Sequence, residues 1–589
     1  MNSSAEPHLS LPQKTRNLLA DLNPPSLPLA CLVVLVACVL AYSNSLQNGF
    51  MLDDHLILFG EQGVEQYNSF LDVFTEKLGS FYRPVGHLVL AVSYSLFGSQ
   101  VAGYHLGNLG LFFLICMMFF VITELLFANR RLSLLAAVLY ALHPINGMLV
   151  NYVTASILST YILTLEFSFA LFILWLKNGK QSLYVLSLLC FAMALLSHEM
   201  SLMFPVYLLC LLHFLKNFTL KRSLWTCLPF FSMSSVYFLI RLRFVSLGGA
   251  FTLPADTPTP ALRSYVATIL DLSYWYVSKL VSQRDIIFLW SSELATDDLN
   301  LKFILAAGVL IGILYLIFIR WGKGLNAFSL AIFVAGLAPI SFASFMYLPY
   351  VDPIIEPHWF YFSSFGLFLM LSNLLVSLAE KTRLALGGLL ISSLLVTGIL
   401  AAREANTNWK DQETYCRYWL SLNPLNLTPY YGLGKSRLDQ GDCAQAIELF
   451  EEGIAVGNYS SEQIATDLGN AYACLGHDEL AATSYQSALQ MNPRYSLAHH
   501  HQALLFLKYG AGWEALVAFS NALRINPQSE SSYEYLLAVR AELEGNIDEA
   551  MDRYRKISVL YPSDELSRKK LIALSDQQEE QARSEPSGQ

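Results

Sequence analysis

The chain has 589 residues, of which 54% are hydrophobic and only 14% charged, with a formal net charge of −9. Soluble domains carry about 25% charged residues, so this balance excludes an all-soluble protein and calls for lipid around part of the chain. The acidic balance and the lack of any long basic run leave no footing for a nucleic-acid partner.

Residues 1–26 read as a cytoplasmic tail. No short apolar core with a small-residue cleavage site follows, so Leu27–Leu46 reads as a retained membrane span. Directly after it, Asn48–Gly60 (NGFMLDDHLILFG) sets Asp53 and Asp54 side by side among bulky apolar residues. Burying one unpaired carboxylate near a membrane is costly, and burying two is costlier, so the pair is either a plain polar turn or a working site. Neighbours diverge by about 100° on a helix and point to opposite faces on a strand. The two carboxylates therefore cannot aim at one reacting atom, and the pair predicts one catalytic and one supporting aspartate.

Further segments long enough to span or nearly span a bilayer follow at about Tyr104–Phe127, Leu132–Leu149, Tyr152–Leu176, Ser182–Ser197, Ser201–Leu215, Leu224–Phe244, Leu301–Ile319, Phe328–Phe345, Trp359–Leu378 and Leu384–Ala402. With the first, about eleven spans are predicted. Basic groups at Arg130/Arg131, Lys177/Lys180, Lys216/Lys221/Arg222, Arg320/Lys323 and Lys381/Arg383 fall in alternate short loops, which places those loops in the cytoplasm. Asp53, Asp54 and everything after Ala402 then lie outside. Pro84–Phe97 is too short to span and reads as a helix on the outer surface, and Tyr265–Leu289 as an outer-surface or re-entrant helix. The nine cysteines show no CxxC or metal-ligand spacing; Cys416, Cys443 and Cys474 lie in the polar C-terminal part, where spacing does not indicate a disulfide.

After Ala402 the composition turns soluble and helical. Residues 403–426 form a connecting segment, in which Trp409–Pro424 resembles half a repeat. Over 427–565 four units start near Leu427, Glu462, Ser496 and Ser531, spaced 35, 34 and 35. Position eight is Gly434, Gly469, Ala503 and Ala538; position twenty is Ala446, Ala481, Ala515 and Ala550; position twenty-four is Phe450, Tyr485, Phe519 and Tyr554. Small residues let paired helices approach and the aromatic fills the space between them, which is the tetratricopeptide (TPR) pattern. Such an array offers a groove for an extended peptide or a partner helix. A polar tail, 566–589, closes the chain, with Gln577–Gln589 expected to be disordered.

Polar residues gather at the predicted outer ends of the spans: Tyr82-Arg83-Pro84, His143-Pro144, Ser197-His198-Glu199, Arg241 with Arg243, and Glu356-Pro357-His358-Trp359. Singly, the arginines read as snorkelling to headgroups and His143 as a helix end. Glu199, in a nearly apolar run, reads as functional by default. Together they supply carboxylates for acid–base work and cations for a phosphate, while no Walker motif or dinucleotide fingerprint indicates a nucleotide.

The ordered set NGFMLDDHLI, SFYRPVGHLVL with AGYHLGNL, ALHPINGMLVNYV, LLSHEMSLMFPV and IEPHWFYFSSFG, followed by repeats, resembles the GT-C glycosyltransferases, specifically the transmembrane-and-TPR group related to protein O-mannosyltransferases. The resemblance spans nearly the whole chain. It implies a mostly α fold, with a polytopic GT-C-like catalytic domain over 27–402 and a TPR α-solenoid. It further implies a polyprenyl-phosphate sugar as donor and no nucleotide, with a divalent metal left open. The base falls on Asp53 or Asp54, with Asp53 favoured. Arg83 matches a YRP-type position, His358 stands where many members carry arginine, His198 replaces a lysine, and Met148 and Ser156 replace Glu and Arg. Tyr82, Arg83, His143, His198, Glu199, Arg241, Arg243, Glu356 and His358 are the expected donor-site residues. The expected function is sugar transfer to Ser/Thr hydroxyls of extracytoplasmic protein, the repeats presenting the acceptor. The expected location is a bacterial inner membrane with the repeats in the periplasm, the ER membrane and lumen being the alternative. The rival readings are transfer to a glycan or lipid, and a non-catalytic membrane scaffold.

Overall fold

The computed structural model describes residues 25–584 apart from 61–62, 68, 70, 76–81, 245–261, 292–303, 305–307, 310, 314, 337–353, 383–384 and 458–460. The described chain is helical almost throughout; its one ladder pairs Trp290–Ser291 antiparallel with Ile354–Ile355. Two compact units divide at Leu425 and Asn426.

Among the described residues of the first unit six helices are long and apolar enough to cross a membrane: Leu27–Gln47, Val101–Phe127, Val153–Asn178, Leu220–Arg241, Pro357–Lys381 and Leu386–Thr407. A seventh forms if Arg130–Leu142 and Pro144–Asn151 count as one span bent by 63°. The bend has a local cause: proline disfavours helical backbone at the residue before it, and His143 is extended. The sequence expectation of about eleven exceeds this count. Gln181–Leu195, Glu199–Phe214 and Leu325–Ala335 are apolar but too short to span as straight helices. Hydropathy runs across the break at Ser197–Glu199, where the backbone leaves the helix. Leu301–Ile319 falls in a stretch described only in pieces. Pro84–Phe97 is a helix of 14 residues with Pro84 in its first turn, where the missing N–H costs nothing. Leu262–Ser282 is a helix that is not among the apolar spans.

The connecting segment belongs to the first unit. Trp409, Tyr415 and Trp419 are buried in its main apolar core, Trp409 and Tyr415 lie 4.2 Å apart, and the Phe288 N–H donates to Tyr415 Oη at 2.6 Å. What reads in sequence as half a repeat is thus spent on the membrane-type core.

In the second unit four helix pairs run from Leu427 to Leu560. A Cβ built on Gly434 would meet Phe450 Cε1 at 2.5 Å, and one on Gly469 would meet Tyr485 Cε1 at 2.5 Å. Positions eight and twenty-four therefore touch, as the spacing predicts. Gly441, Gly476, Gly510 and Gly545 share a left-handed φ of 72–81° at the turn inside each pair, a repeat position that conserves backbone freedom rather than packing. Cys443 and Cys474 form a disulfide with a Cα–Cα distance of 6.3 Å, a pairing that their sequence spacing does not signal, while Cys416 stays reduced and buried. The polar tail departs from expectation: it is helical from Glu565 to Ser584. Leu574 is buried and Leu566 and Leu571 pack against the last repeat's core, so three leucines dock the start of a helix that runs on into 577–584, where composition predicts disorder.

Gly469→Ala should destabilise the repeat unit by about 1–3 kcal/mol, the cost of overpacking. In a Tyr485→Ala background that penalty should vanish, which thermal unfolding of the four proteins in the cycle would measure.

Candidate active site

The Asp53 loop is built by backbone hydrogen bonds. Met51 N–H donates to Asp54 Oδ2 (3.0 Å), Asp54 N–H donates to Met51 O (2.9 Å), and Thr154 N–H donates to Asp54 Oδ1 (2.9 Å). Asp54 is fully buried and both its oxygens are occupied by the main chain. Burial pushes its carboxyl up to about 7 against the pull of those hydrogen bonds. Asp53, one position earlier on the helix Asp53–Phe59, is exposed. Desolvation by the protein around it and then the Glu356 carboxylate raise its pKa, opposed by the Tyr152 hydroxyl and Arg83. Tyr152 Oη approaches Asp53 without full hydrogen-bond geometry. The two aspartates thus diverge as the helical offset demands, one buried and one exposed.

Beside Asp53 stands a half-buried charge cluster. Arg83 grips Glu199 with both arms, Nε to Oε2 at 3.0 Å and Nη2 to Oε1 at 2.7 Å, and Arg241 Nη2 donates to the same Oε1 at 3.2 Å. Burial would raise the Glu199 carboxyl, but Arg83, His198 and Arg241 outweigh it and hold the group well below the usual range. Two guanidiniums on one carboxylate leave this triad, taken by itself, with one positive charge in excess, beside the Asp53 and Glu356 carboxylates. The geometry has local origins. Arg83 precedes Pro84, and Val85 N–H is tied to Leu196 O at 3.0 Å. Glu199 follows the helix end at Leu195, where His198 turns extended. Arg241 lies on the Leu220–Phe244 helix.

His358 Nδ1 lies 2.8 Å from Glu356 Oε2, out of line for a hydrogen bond. The His198 ring stacks on Tyr161 at 4.9 Å and meets His358 edge-on at 5.3 Å. Burial, then Arg83, keeps His198 neutral. Its Nδ1 accepts the Met200 N–H (3.2 Å), so Nε2 carries the proton, and that buried N–H has no partner among the described residues. Tyr82 lies within electrostatic range of Tyr237, which in turn faces Glu199, Arg241 and Arg83.

The structure therefore gathers Asp53, Tyr82, Arg83, His198, Glu199, Arg241, Glu356 and His358. His143 is placed differently: Nδ1 accepts the Ile145 N–H (3.1 Å) and Nε2 faces Leu280 O at 3.0 Å. With both nitrogens spent on backbone, it serves the bent joint rather than the charge cluster. The Arg243 side chain lies outside the described residues. Tyr152, Tyr161 and Tyr237 line the cluster yet carry no sequence signal, since a tyrosine in an apolar run reads the same whether it packs or faces a ligand. Among the described residues no group of three or more His, Cys, Asp or Glu is arranged to hold a metal ion.

No family model matches the chain. Over 122 residues it is 26% identical to human tetratricopeptide repeat protein 6, covering 21% of this chain and 22% of that protein. Over 114 residues it is 28% identical to the photosystem I assembly protein Ycf3 of Synechococcus sp. (strain WH7803), covering 17% of this chain and 66% of that protein. The chain thus spans about a fifth of the first relative's length and just under two-thirds of the second's. Among solved structures, MamA matches with 20% identity and a TM-score of 0.22, covering 30% of this chain and 96% of that one. A chain of the APC/C hetero-tetramer Cut9–Hcn1 matches with 14% identity and a TM-score of 0.23, covering 80% and 98%. What these relatives share with the chain is the tetratricopeptide repeat, and the second unit is a TPR domain.

Asp54→Asn should lower the unfolding midpoint in detergent. An amide cannot accept at both ends, so Met51 N–H or Thr154 N–H is left unpaired at a cost of about 1–3 kcal/mol. Asp53→Asn, on the exposed side, should leave the midpoint unchanged; thermal unfolding of the pair distinguishes them.

Proposed function

We propose that the chain is a membrane glycosyltransferase of GT-C type that moves a sugar from a polyprenyl-phosphate carrier to Ser/Thr hydroxyls of an extracytoplasmic protein, with the TPR domain recruiting the acceptor. The observation that carries this reading is the exposed Asp53 in electrostatic contact with Arg83, which with Arg241 converges on the Glu199 carboxylate. A base and an anion site within range of each other suit displacement of a phosphate by a hydroxyl; a turn or a headgroup anchor needs only one of them.

In the proposed reaction Asp53 takes the proton of the acceptor hydroxyl as its oxygen bonds to the anomeric carbon. The bond from that carbon to the phosphate oxygen breaks on the opposite face, inverting the centre, and the leaving polyprenyl phosphate takes the electron pair. Arg83 and Arg241 meet the charge that develops there, Glu199 holds the two guanidiniums in place, and the Nε2–H of His198 together with His358 supplies further donors. Asp54 keeps the loop rather than reacting. The Cys443–Cys474 disulfide supports an oxidising compartment for the repeats, in line with the side expected from the basic loops.

A second reading, a non-catalytic membrane scaffold working through its repeats, is favoured by the comparisons, because the relatives are TPR proteins. Transfer assays separate the two. With a polyprenyl-phosphate sugar and a Ser/Thr peptide, Asp53→Asn should lower turnover by about 10²–10⁴, the usual worth of a general base, while the protein stays folded. Normal turnover, or no transfer by the wild type with any lipid-linked sugar, would leave the scaffold.

The pH profile gives a signed check. Ionised Asp53 is the active form, so the rate should rise with pH through a value above the ordinary carboxylate range. Glu356→Gln removes a charge that raises this value and should move the acid limb to lower pH; Arg83→Ala removes one that lowers it and should move the limb to higher pH. Shifts of the same sign in both variants would rule out Asp53 as the titrating base.

A further inference from the structure

The residue before Asp53 has an unusual backbone. Leu52 has φ 49°, the left-handed region that a bulky residue rarely adopts, and such conformations persist only where the surroundings over-determine them. What holds this one is remote in sequence. Leu52 N–H donates to Gln412 Oε1 at 3.2 Å, and Gly49 N–H donates to Lys410 O at 2.8 Å. On the near side of the loop, Asn406 donates to Ala41 O and Asn44 Oδ1 (both 2.9 Å) and accepts from Asn151 (2.7 Å), whose Oδ1 accepts from Asn48 (2.8 Å). Arg403 Nη1 reaches Leu40 O at 2.9 Å. Residues 403–412 are thus bonded along their length to residues 40–52.

Gln412 has a firm base. It opens the helix Gln412–Leu422, which Asp411 caps through the Thr414 N–H at 2.8 Å, and the buried Tyr415 and Trp419 of that helix anchor it in the core. The loop therefore has two clamps of different kind. Asp54 closes the turn from within, whereas Gln412 fixes from outside it the peptide plane that leads into Leu52, the residue before Asp53.

We propose that Gln412 is a positioning residue for Asp53: by holding Leu52 in the left-handed region it sets the direction in which the Asp53 carboxylate leaves the loop. The role rests on the proposed catalytic reading of Asp53. Its consequence is that the segment carrying the chain from the last apolar helix to the repeats is also the segment that sets the base. Displacing residues 403–412 would misdirect Asp53 without touching the anion-binding arginines.

The test compares Gln412→Met, which keeps the length but removes the acceptor, with Gln412→Glu, which keeps an acceptor for the Leu52 N–H. Amide hydrogen exchange across residues 49–54 is followed in detergent, and transfer kinetics are measured at a pH above the acid limb. Gln412→Met should raise exchange in this stretch alone and lower kcat by about 10- to 100-fold, the scale of a 1 Å misplacement, with KM for the lipid donor unchanged. Gln412→Glu should restore both protection and kcat, its added charge moving the acid limb to higher pH. A normal kcat in Gln412→Met, or a Gln412→Glu protein as slow as Gln412→Met, overturns the positioning role, and so does a loss accompanied by a matching rise in donor KM. Asp53→Asn serves as the reference: if it is inactive while Gln412→Met is normal, only the positioning role falls, whereas normal turnover in Asp53→Asn removes the catalytic reading and this role with it.

Discussion

The first unit is arranged around one electrostatic requirement, that the Glu199 carboxylate must not be left alone. A buried charge without a partner costs several kcal/mol, and deleting one partner of a buried pair costs about 3–5. Glu199 meets the requirement with two guanidiniums, Arg83 and Arg241, drawn from opposite sides in sequence. Satisfying it therefore fixes three places at once: the start of the Pro84–Phe97 helix, the break after Leu195 and the outer part of the Leu220–Phe244 helix. The same arithmetic that stabilises the triad leaves it with one positive charge in excess, which the Asp53 and Glu356 carboxylates stand close to.

The acidic pair obeys a second constraint. Adjacent residues on a helix cannot share a direction, and the fold assigns the two carboxylates opposite tasks. Asp54 turns inward and accepts two backbone N–H groups, whereas Asp53 stays exposed beside Glu356 and Arg83. Two carboxylates one residue apart thus come to differ in hydrogen bonding and in which charges they feel, which is how a single loop can hold one structural acid and one that stays open to solvent.

The TPR unit relies on short-range packing instead. Gly434 faces Phe450 and Gly469 faces Tyr485 with no room for a Cβ, and each helix pair turns on a left-handed glycine. Because each repeat satisfies itself and its neighbour, the array needs no long-range partner to specify it. The Cys443–Cys474 bridge ties the second helix of the first pair to the first helix of the second.

What the sequence determined is what local periodicity and composition encode. The repeat register, the apolar helices, the short helix at Pro84 and the offset of Asp53 from Asp54 all follow from spacing, because each depends on neighbours within a few turns. Span count was less legible: hydropathy averages over a window and passes across the short break at His198, so helices too short to cross were read as spans. Tertiary structure alone decided which polar residues meet. His143 and His198 look alike in sequence, each closing an apolar run, yet one has both nitrogens taken up by main-chain groups and the other keeps a free buried N–H. The capping of Asp54 by Thr154, the convergence of Arg83 and Arg241 on Glu199, and the hold of Gln412 on Leu52 join residues about 40 to 360 positions apart. Contacts at such separation are set by how the helices pack, and no periodicity along the chain records them.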